Sequence, residues 1–325
     1  ERLESEIEAI MADASWEVGP ETGPPPREEN FIPAYITHAR TALTDAFHLR
    51  GLRVVVDCAN GATTSVAPRL FRELGLDATV LHANPDGRNI NRDCGSTHLE
   101  GLKQAVVEGH YRLGIAFDGD GDRCLLVDHK GELVDGDAIL FICAKHLKAH
   151  GELRGREVVA TVMSNIGLEL ALRREGLGLR RTAVGDKYVM SELIDKRLSL
   201  GGEQSGHVIF TDFLNTGDGI VTALNVLRVM ADTGHELADL RQGFVRYPQV
   251  LVNVRVRERK DLSTIPAVSL AIAELQRHLA GNGRLFVRYS GTEPLLRIMV
   301  EGKDQREVDM WAHRLAGLVK EHLGA

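Results

Sequence analysis

The sequence predicts an α/β protein: two successive mixed or mostly parallel three-layer α/β domains, followed by a small α+β C-terminal domain. Three observations carry this. Short apolar runs at 52–57, 77–82, 113–117, 157–161 and 179–183 alternate with helix-length amphipathic stretches, the pattern of a mostly parallel sheet covered by helices. Over Val250–Val256 the chain changes to alternating apolar and polar residues, which suits an antiparallel sheet open on one face. Polar, glycine-bearing loops follow several of the runs, at the carboxyl ends of strands where such sheets bind ligands.

Taken in order, residues 1–21 form an N-terminal helix (1–13) running into a linker, with Pro and Gly concentrated over 18–28. The first α/β domain spans 22–129. It opens with a helix over 31–48, then strand 52–57, a small-residue loop at 58–62, helix 65–74 stopped at Gly75, and strand 77–82. Thr97-His98-Leu99-Glu100 has the capping-box pattern and starts a helix to about His110. The second α/β domain, 130–245, has helix 137–147, strand 157–161, a helix over 165–175 capped by Ser164, strand 179–183, a turn at 185–187 before helix 188–196, strand 208–211 and a helix opened by Gly217-Asp218-Gly219. The last domain, 246–325, has strand 250–256, helix 266–279, strands 284–288 and 295–300 and a long helix over 304–322.

The bulk composition narrows the function. The chain has 325 residues, 43% of them hydrophobic, with 33 glycines and a net charge of −7. Such an acidic balance gives no footprint for a nucleic-acid partner. No apolar run reaches the roughly 18 residues of a membrane span, and no signal peptide opens the chain. The four cysteines lie in separate contexts with no CxxC pair, so reduced thiols in a cytoplasmic protein are the simplest reading.

Chemistry concentrates in three loops. In Asp118-Gly119-Asp120-Gly121-Asp122-Arg123 three carboxylates stand two residues apart between two apolar strands. Close carboxylates repel one another, and a hard divalent cation such as Mg2+ removes that cost. A solvated acidic turn is the plain alternative, but Arg123 beside the cluster suggests that an anion, a phosphate, completes it. In Gly202-Glu203-Gln204-Ser205-Gly206-His207, Glu203 and Ser205 suit sugar hydroxyls, and His207 suits phosphate binding or proton exchange. Arg288 and the turn Ser290-Gly291-Thr292 read as a phosphate cradle of backbone N–H groups, hydroxyls and a guanidinium, to which Arg297 adds a second fork if its strand face permits. Lys187 is a weaker candidate, since a lysine in a turn is commonly just solvated. The loop Asn89-Ile90-Asn91 to Cys94-Gly95-Ser96 has no readable chemistry of its own and is a candidate support for the acidic loop. Cys94 has no adjacent base and is not proposed as a nucleophile.

On these motifs the sequence resembles the α-D-phosphohexomutases, and within them the glucosamine branch. The acidic loop matches that family's magnesium loop, 202–207 its sugar-binding loop in the glutamine form, and Ser290-Gly291-Thr292-Glu293-Pro294 its phosphate loop. Tyr289 departs from the usual proline, and Lys187 stands where arginine is common. The resemblance implies domains two to four of a four-domain family, so that the chain is expected to be a fragment lacking an N-terminal phosphoserine domain. It implies interconversion of glucosamine 6-phosphate and glucosamine 1-phosphate through a phosphoserine and a 1,6-bisphosphate, with phosphomannomutase or phosphoglucomutase activity, or non-catalytic phosphosugar binding, as alternatives. Asp118, Asp120 and Asp122 would hold Mg2+. Arg123 and His207 would be the catalytic residues present, and Lys187, Glu203, Ser205, Arg288, Ser290, Gly291, Thr292 and Arg297 would bind the phosphosugar substrate. A homodimer of the intact protein stays open.

Overall fold

The computed structural model describes residues 2–13, 15, 30–43, 47–291 and 293–325. The linker expected over 18–28 and the proposed ligand Thr292 lie outside these residues. Helix α1 (Arg2–Ala12) precedes the first unit, which begins with α2 (Ile32–Ala39). The helix expected over 31–48 is therefore much shorter. It tightens into a 3-10 turn at Arg40–Ala42 and gives way to extended backbone at Leu43. The Thr41 hydroxyl donates back to the His38 carbonyl at 2.6 Å, a local bond that competes with helix continuation.

The first sheet has strands β1 (Arg53–Asp57), β2 (Asp77–Leu81), β3 (Leu113–Phe117), β4 (Cys124–Asp128) and β5 (Leu133–Val134), with helices α3 (Ala67–Glu73) and α4 (Glu100–Glu108). Its order is β2-β1-β3-β4-β5. β1 runs parallel to β2 and β3, whereas β4 is antiparallel to β3 and β5. The acidic loop is thus the turn of an antiparallel hairpin, with all ten residues of its two strands buried. The capping box expected at Thr97 does not form. Leu99 is the N-cap of α4, without a side-chain bond, and the Thr97 hydroxyl instead pairs with His98 Nδ1 at 3.1 Å.

The second unit contains α5 (Gly136–Ala149), β6 (Glu157–Thr161), α6 (Ile166–Arg174), β7 (Gly178–Thr182), α7 (Asp186–Lys196), β8 (Leu200–Gly202), β9 (Val208–Phe210), α8 (Gly219–Thr233) and α9 (Leu237–Leu240). The sheet order is β7-β6-β8-β9, with only β9 antiparallel. Asn165 rather than Ser164 caps α6: its extended backbone lets its side-chain oxygen accept from Gly167 N–H at 2.9 Å. Residues 219–230 of α8 are all buried, because this helix packs between the two sheets. One continuous core consequently includes Val54, Phe117 and Leu126 of the first unit with Leu168, Leu200 and Val208 of the second.

The third unit has β10 (Gln249–Arg255), α10 (Pro266–Leu279), β11 (Arg284–Tyr289), β12 (Leu295–Glu301) and α11 (Gln305–Leu323). Its sheet is antiparallel in the order β10-β12-β11. Both helices pack on it around a separate core that includes Val254, Leu275, Ile298, Trp311 and Leu315. No helix among the described residues is long and apolar enough to cross a membrane.

Candidate active site

The hairpin β3–β4 sets the carboxylates. Asp118 is buried, and its Oδ1 closes the turn by accepting from the backbone N–H of Gly121 (3.2 Å) and Arg123 (3.1 Å). Asp118, Asp120 and Asp122 each offer an oxygen, and the three atoms lie within 4.8 Å of one another. Arg123 Nε stands 3.8 Å from Asp118 and 3.9 Å from Asp122. Burial, and then the carboxyl of Asp122 beside it, push Asp118 up to about 7. Asp122 Oδ1 is buried with no hydrogen-bond partner. An all-oxygen donor set that is crowded, raised in pKa and partly unsatisfied fits a hard divalent cation.

Backbone from elsewhere braces this turn. Ala62 N–H donates to the Gly119 carbonyl at 2.8 Å, and a β-carbon on the preceding Gly61 would stand 2.1 Å from that carbonyl oxygen. Ile90 and Asn91 close over Gly119, so the 89–96 loop does support the acidic turn. On the other side Cys124 N–H donates to the Gly206 carbonyl at 3.0 Å. Gly206 has φ +95°, and a β-carbon there would lie 2.4 Å from the Cys124 oxygen, so glycine is required on both counts.

The same seam delivers His207. Arg123 and His207 form an isolated antiparallel bridge, and His207 Nδ1 is 2.9 Å from Asp122 Oδ2. A ring that donates from Nδ1 to this carboxylate leaves Nε2, which is buried and has no partner, as its bare nitrogen. Glu203 Oε1 accepts from Gly185 N–H at 3.2 Å, and Ser205 Oγ donates to Glu203 Oε2 at 3.4 Å. Lys187 is not in a turn but in the first turn of α7, exposed, with its ammonium 5.1 Å from the centroid of Tyr188.

A cleft of about 390 Å3 is lined by Glu203, Gln204 and Ser205 together with Asp135, Thr161 and Arg246. Arg246 reaches Asp135 at 3.4 Å. A smaller hollow of about 270 Å3 is lined by Asp120, Asp122, Tyr35 and Asp218, and the Tyr35 hydroxyl donates to Asp218 at 2.8 Å. Sequence reasoning missed Asp135, Arg246 and Tyr35 as site residues. It read Asp218 only as part of a helix start, which it is, as the N-cap of α8.

In the third unit Arg288 and Arg297 face each other across β11 and β12. Arg297 Nη2 donates to Glu293 at 2.9 Å and lies 3.5 Å from Ser290 Oγ, while its buried Nε has no partner. Arg259, which sequence reasoning missed, donates to the carbonyls of Ser290 (2.6 Å) and Gly291 (3.0 Å). One expectation needs correction: the Ser290 N–H donates to the Leu295 carbonyl at 2.8 Å and does not face an anion. Among the described residues, no residue of 288–297 lines the 390 Å3 cleft. The structure therefore joins the acidic and 203–207 loops directly and holds the arginine group apart, on the third unit.

Three stretches of the chain match families of known proteins. They are described as phosphoglucomutase/phosphomannomutase alpha/beta/alpha domain II over residues 33–131, alpha/beta/alpha domain III over 135–247, and C-terminal domain over 251–318. The phosphoglucosamine mutase of Pseudomonas putida is 53% identical over 288 residues, 88% of this chain and 64% of that protein. That of Desulforamulus reducens is 48% identical over 323 residues, 98% of this chain and 72% of that protein. The chain thus spans somewhat less than two thirds of the length of the Pseudomonas relative. Among solved structures, a phosphoglucomutase/phosphomannomutase family protein from Burkholderia thailandensis superposes with a TM-score of 0.73 at 21% identity, over 91% of this chain and 65% of that one. The Aspergillus fumigatus N-acetylphosphoglucosamine mutase, in complex with GlcNAc-6P and magnesium, gives 0.70 at 24% identity, over 88% and 65%. At these identities the structural likeness speaks to the fold.

Proposed function

The chain belongs to the phosphoglucomutase/phosphomannomutase family, in its phosphoglucosamine mutase group, and from this membership we propose that the protein interconverts glucosamine 6-phosphate and glucosamine 1-phosphate. The observation that carries the reading is the 2.9 Å contact of His207 with Asp122, which joins a carboxylate cluster suited to phosphoryl transfer to a loop suited to a sugar. Asp118, Asp120 and Asp122 would hold Mg2+, which when bound would offset charge on the phosphoryl group in transfer. Arg123 would contact the same phosphate. His207, whose Nε2 is buried, would act through its Nδ1 contact with Asp122, holding that carboxylate in place during transfer. Glu203, Ser205 and Lys187 would grip the sugar, and Arg288, Ser290, Gly291, Thr292 and Arg297 the phosphate not being transferred. A distal grip of this kind orients the substrate in both of its binding modes, as a 1,6-bisphosphate intermediate must turn round.

Ser205 is committed to Glu203 and Ser290 sits within the arginine group, so we assign the phosphoryl carrier to a phosphoserine outside residues 1–325. For these residues by themselves we infer phosphosugar binding without turnover. We keep 22–129, 130–245 and 246–325 as the working domains, and the four buried free cysteines support a reducing, cytoplasmic location.

Residues 1–325 by themselves are expected to bind glucosamine 6-phosphate in calorimetry and to turn over none; the test of the activity is 31P NMR of the protein that includes the phosphoserine, with glucosamine 6-phosphate, Mg2+ and a trace of 1,6-bisphosphate. Appearance of the 1-phosphate resonance, faster than from mannose or glucose 6-phosphate, is the expected result. Faster turnover of mannose or glucose phosphate overturns the specificity, and neither turnover nor calorimetric binding overturns the reading altogether. His207→Gln is expected to lower kcat about 10- to 100-fold while leaving calorimetric substrate affinity nearly unchanged.

A further inference from the structure

We propose that His146, His150 and Asp232 form a second metal site, for a borderline transition-metal ion such as Zn2+, where the C-terminal ends of α5 and α8 meet. The site stands about 15 Å along α5 from its first residue, Gly136, a residue that touches the Glu203 turn, and it is separate from the acidic hairpin.

Geometry carries the proposal. A spacing of four residues puts two histidines on one face, one turn apart, and their ring centroids are 4.1 Å apart. His146 is buried, and its Nε2 lies 2.9 Å from Asp232 Oδ2 across the helix pair. One donor atom from each of the three residues lies within 4.8 Å of the others. Ligands about 2.0–2.1 Å from a tetrahedral ion stand about 3.3 Å from one another, so the 2.9 Å His146–Asp232 contact needs to open slightly to admit one, and His150, whose Nδ1 lies 2.9 Å from the His146 carbonyl, would turn its Nε2 to it. Three protein donors leave a fourth position for water.

The surroundings favour a cation. Two helices end here, and each brings the negative end of its dipole. Arg228 holds Asp232 from one side, with Nε at 3.6 Å, but both of its Nη atoms donate to Glu152, at 3.0 and 2.8 Å. Glu152 thereby matches the arginine charge, and the Asp232 charge is left for an ion. The nearby lysines turn elsewhere: Lys148 donates to the Glu175 carbonyl and Lys145 lies over Phe141, 3.9 Å from the Glu175 carboxylate.

The donor set also separates this site from the others. Imidazole nitrogens select zinc-like ions, whereas the all-oxygen hairpin selects Mg2+. The group Asp57, His82 and Cys94, in which His82 is exposed, is a poorer candidate, because Asp57 already accepts from Ala59 N–H and Gly95 N–H and pairs with His82.

The experiment is calorimetric titration with Zn2+ in excess Mg2+, paralleled by Co2+ read from its visible bands. One Zn2+ per chain is expected, with Co2+ bands of a nitrogen-ligated, low-coordinate ion. His150→Ala, at an exposed position, and Asp232→Asn should each weaken Zn2+ about tenfold or more, since loss even of a ligand's outer partner costs that much. Circular dichroism of both variants checks that the fold is kept. No stoichiometric Zn2+ in the parent protein, or affinity and bands unchanged in folded His150→Ala, overturns the proposal.

Discussion

His207 is where a phosphate-type loop and a sugar-type loop become one site, and its backbone position rests on the residue before it. Gly206→Ala would place a β-carbon 2.4 Å from the Cys124 oxygen in a left-handed backbone conformation. A loss of about 1–3 kcal/mol in a urea melt is expected, with weaker Mg2+ binding, because the hairpin loses one wall. Asp137 offers a pH test. Burial first, then neighbouring Asp135, push its carboxyl up to about 7, above the roughly 3.9 of an unfolded chain. The folded protein therefore holds this proton more tightly. The stability it contributes is complete below about pH 4 and lost as pH rises towards 7. Asp137→Asn keeps a side-chain oxygen for Asn165 N–H and carries no titratable proton. The melting temperature of the parent protein relative to this variant should thus fall between pH 4 and 7, and a constant difference would refute the assignment. The sequence showed residues such as Asp118, Glu203 and His207 because polar residues cluster there between apolar runs. Arg246, Tyr35 and Arg259 were illegible because topology brings them in from distant positions that have no local pattern.

Among the elements, the first turn of α6 is a junction. Asn165 Oδ1 accepts from Gly167 N–H and Tyr247 N–H, both at 2.9 Å, and its Nδ2 donates to the Tyr247 carbonyl. Next to it, Ile166 N–H donates to Glu301, and the Ser164 carbonyl accepts from Arg284. Both Glu301 and Arg284 belong to the third unit. Asn165→Ala removes a helix cap and leaves buried polar groups unpaired, so about 2–4 kcal/mol of destabilisation is expected by chemical denaturation. A loss below about 1 kcal/mol would mean that water replaces the amide without cost. Elements with strong periodicity, such as 157–161 and 266–279, were legible to the residue. The failures were side-chain events: Thr41 bonding back to His38, Thr97 pairing with His98, and Asn165 capping where Ser164 was expected. Each is a choice between neighbouring hydroxyls, amides and carbonyls that hydrophobic pattern does not encode.

For the whole molecule, three sheets share two large cores, and two smaller clusters, around Val55 and around Val159, cover the other faces of the first and second sheets. The first two units share one through α8, and the third has its own. Calorimetry is expected to resolve two transitions rather than three. Leu275→Ala, in the smaller core, should lower only one of them, by about 2–5 kcal/mol, and a shift of both would show a single cooperative body. The order of the units was legible from the changing period of the chain. The fusion of two of them was not, because an all-buried helix reads the same whether it covers one sheet or lies between two. That fusion bears on inheritance. A genetic exchange that moved residues 53–134 alone would carry the three carboxylates and leave behind the Gly206 and Gly219 backbone that braces their hairpin, so it would separate the cluster from its support. The third, fastened chiefly at the tip of α6, is the part that recombination could replace without dismantling the carboxylate cluster.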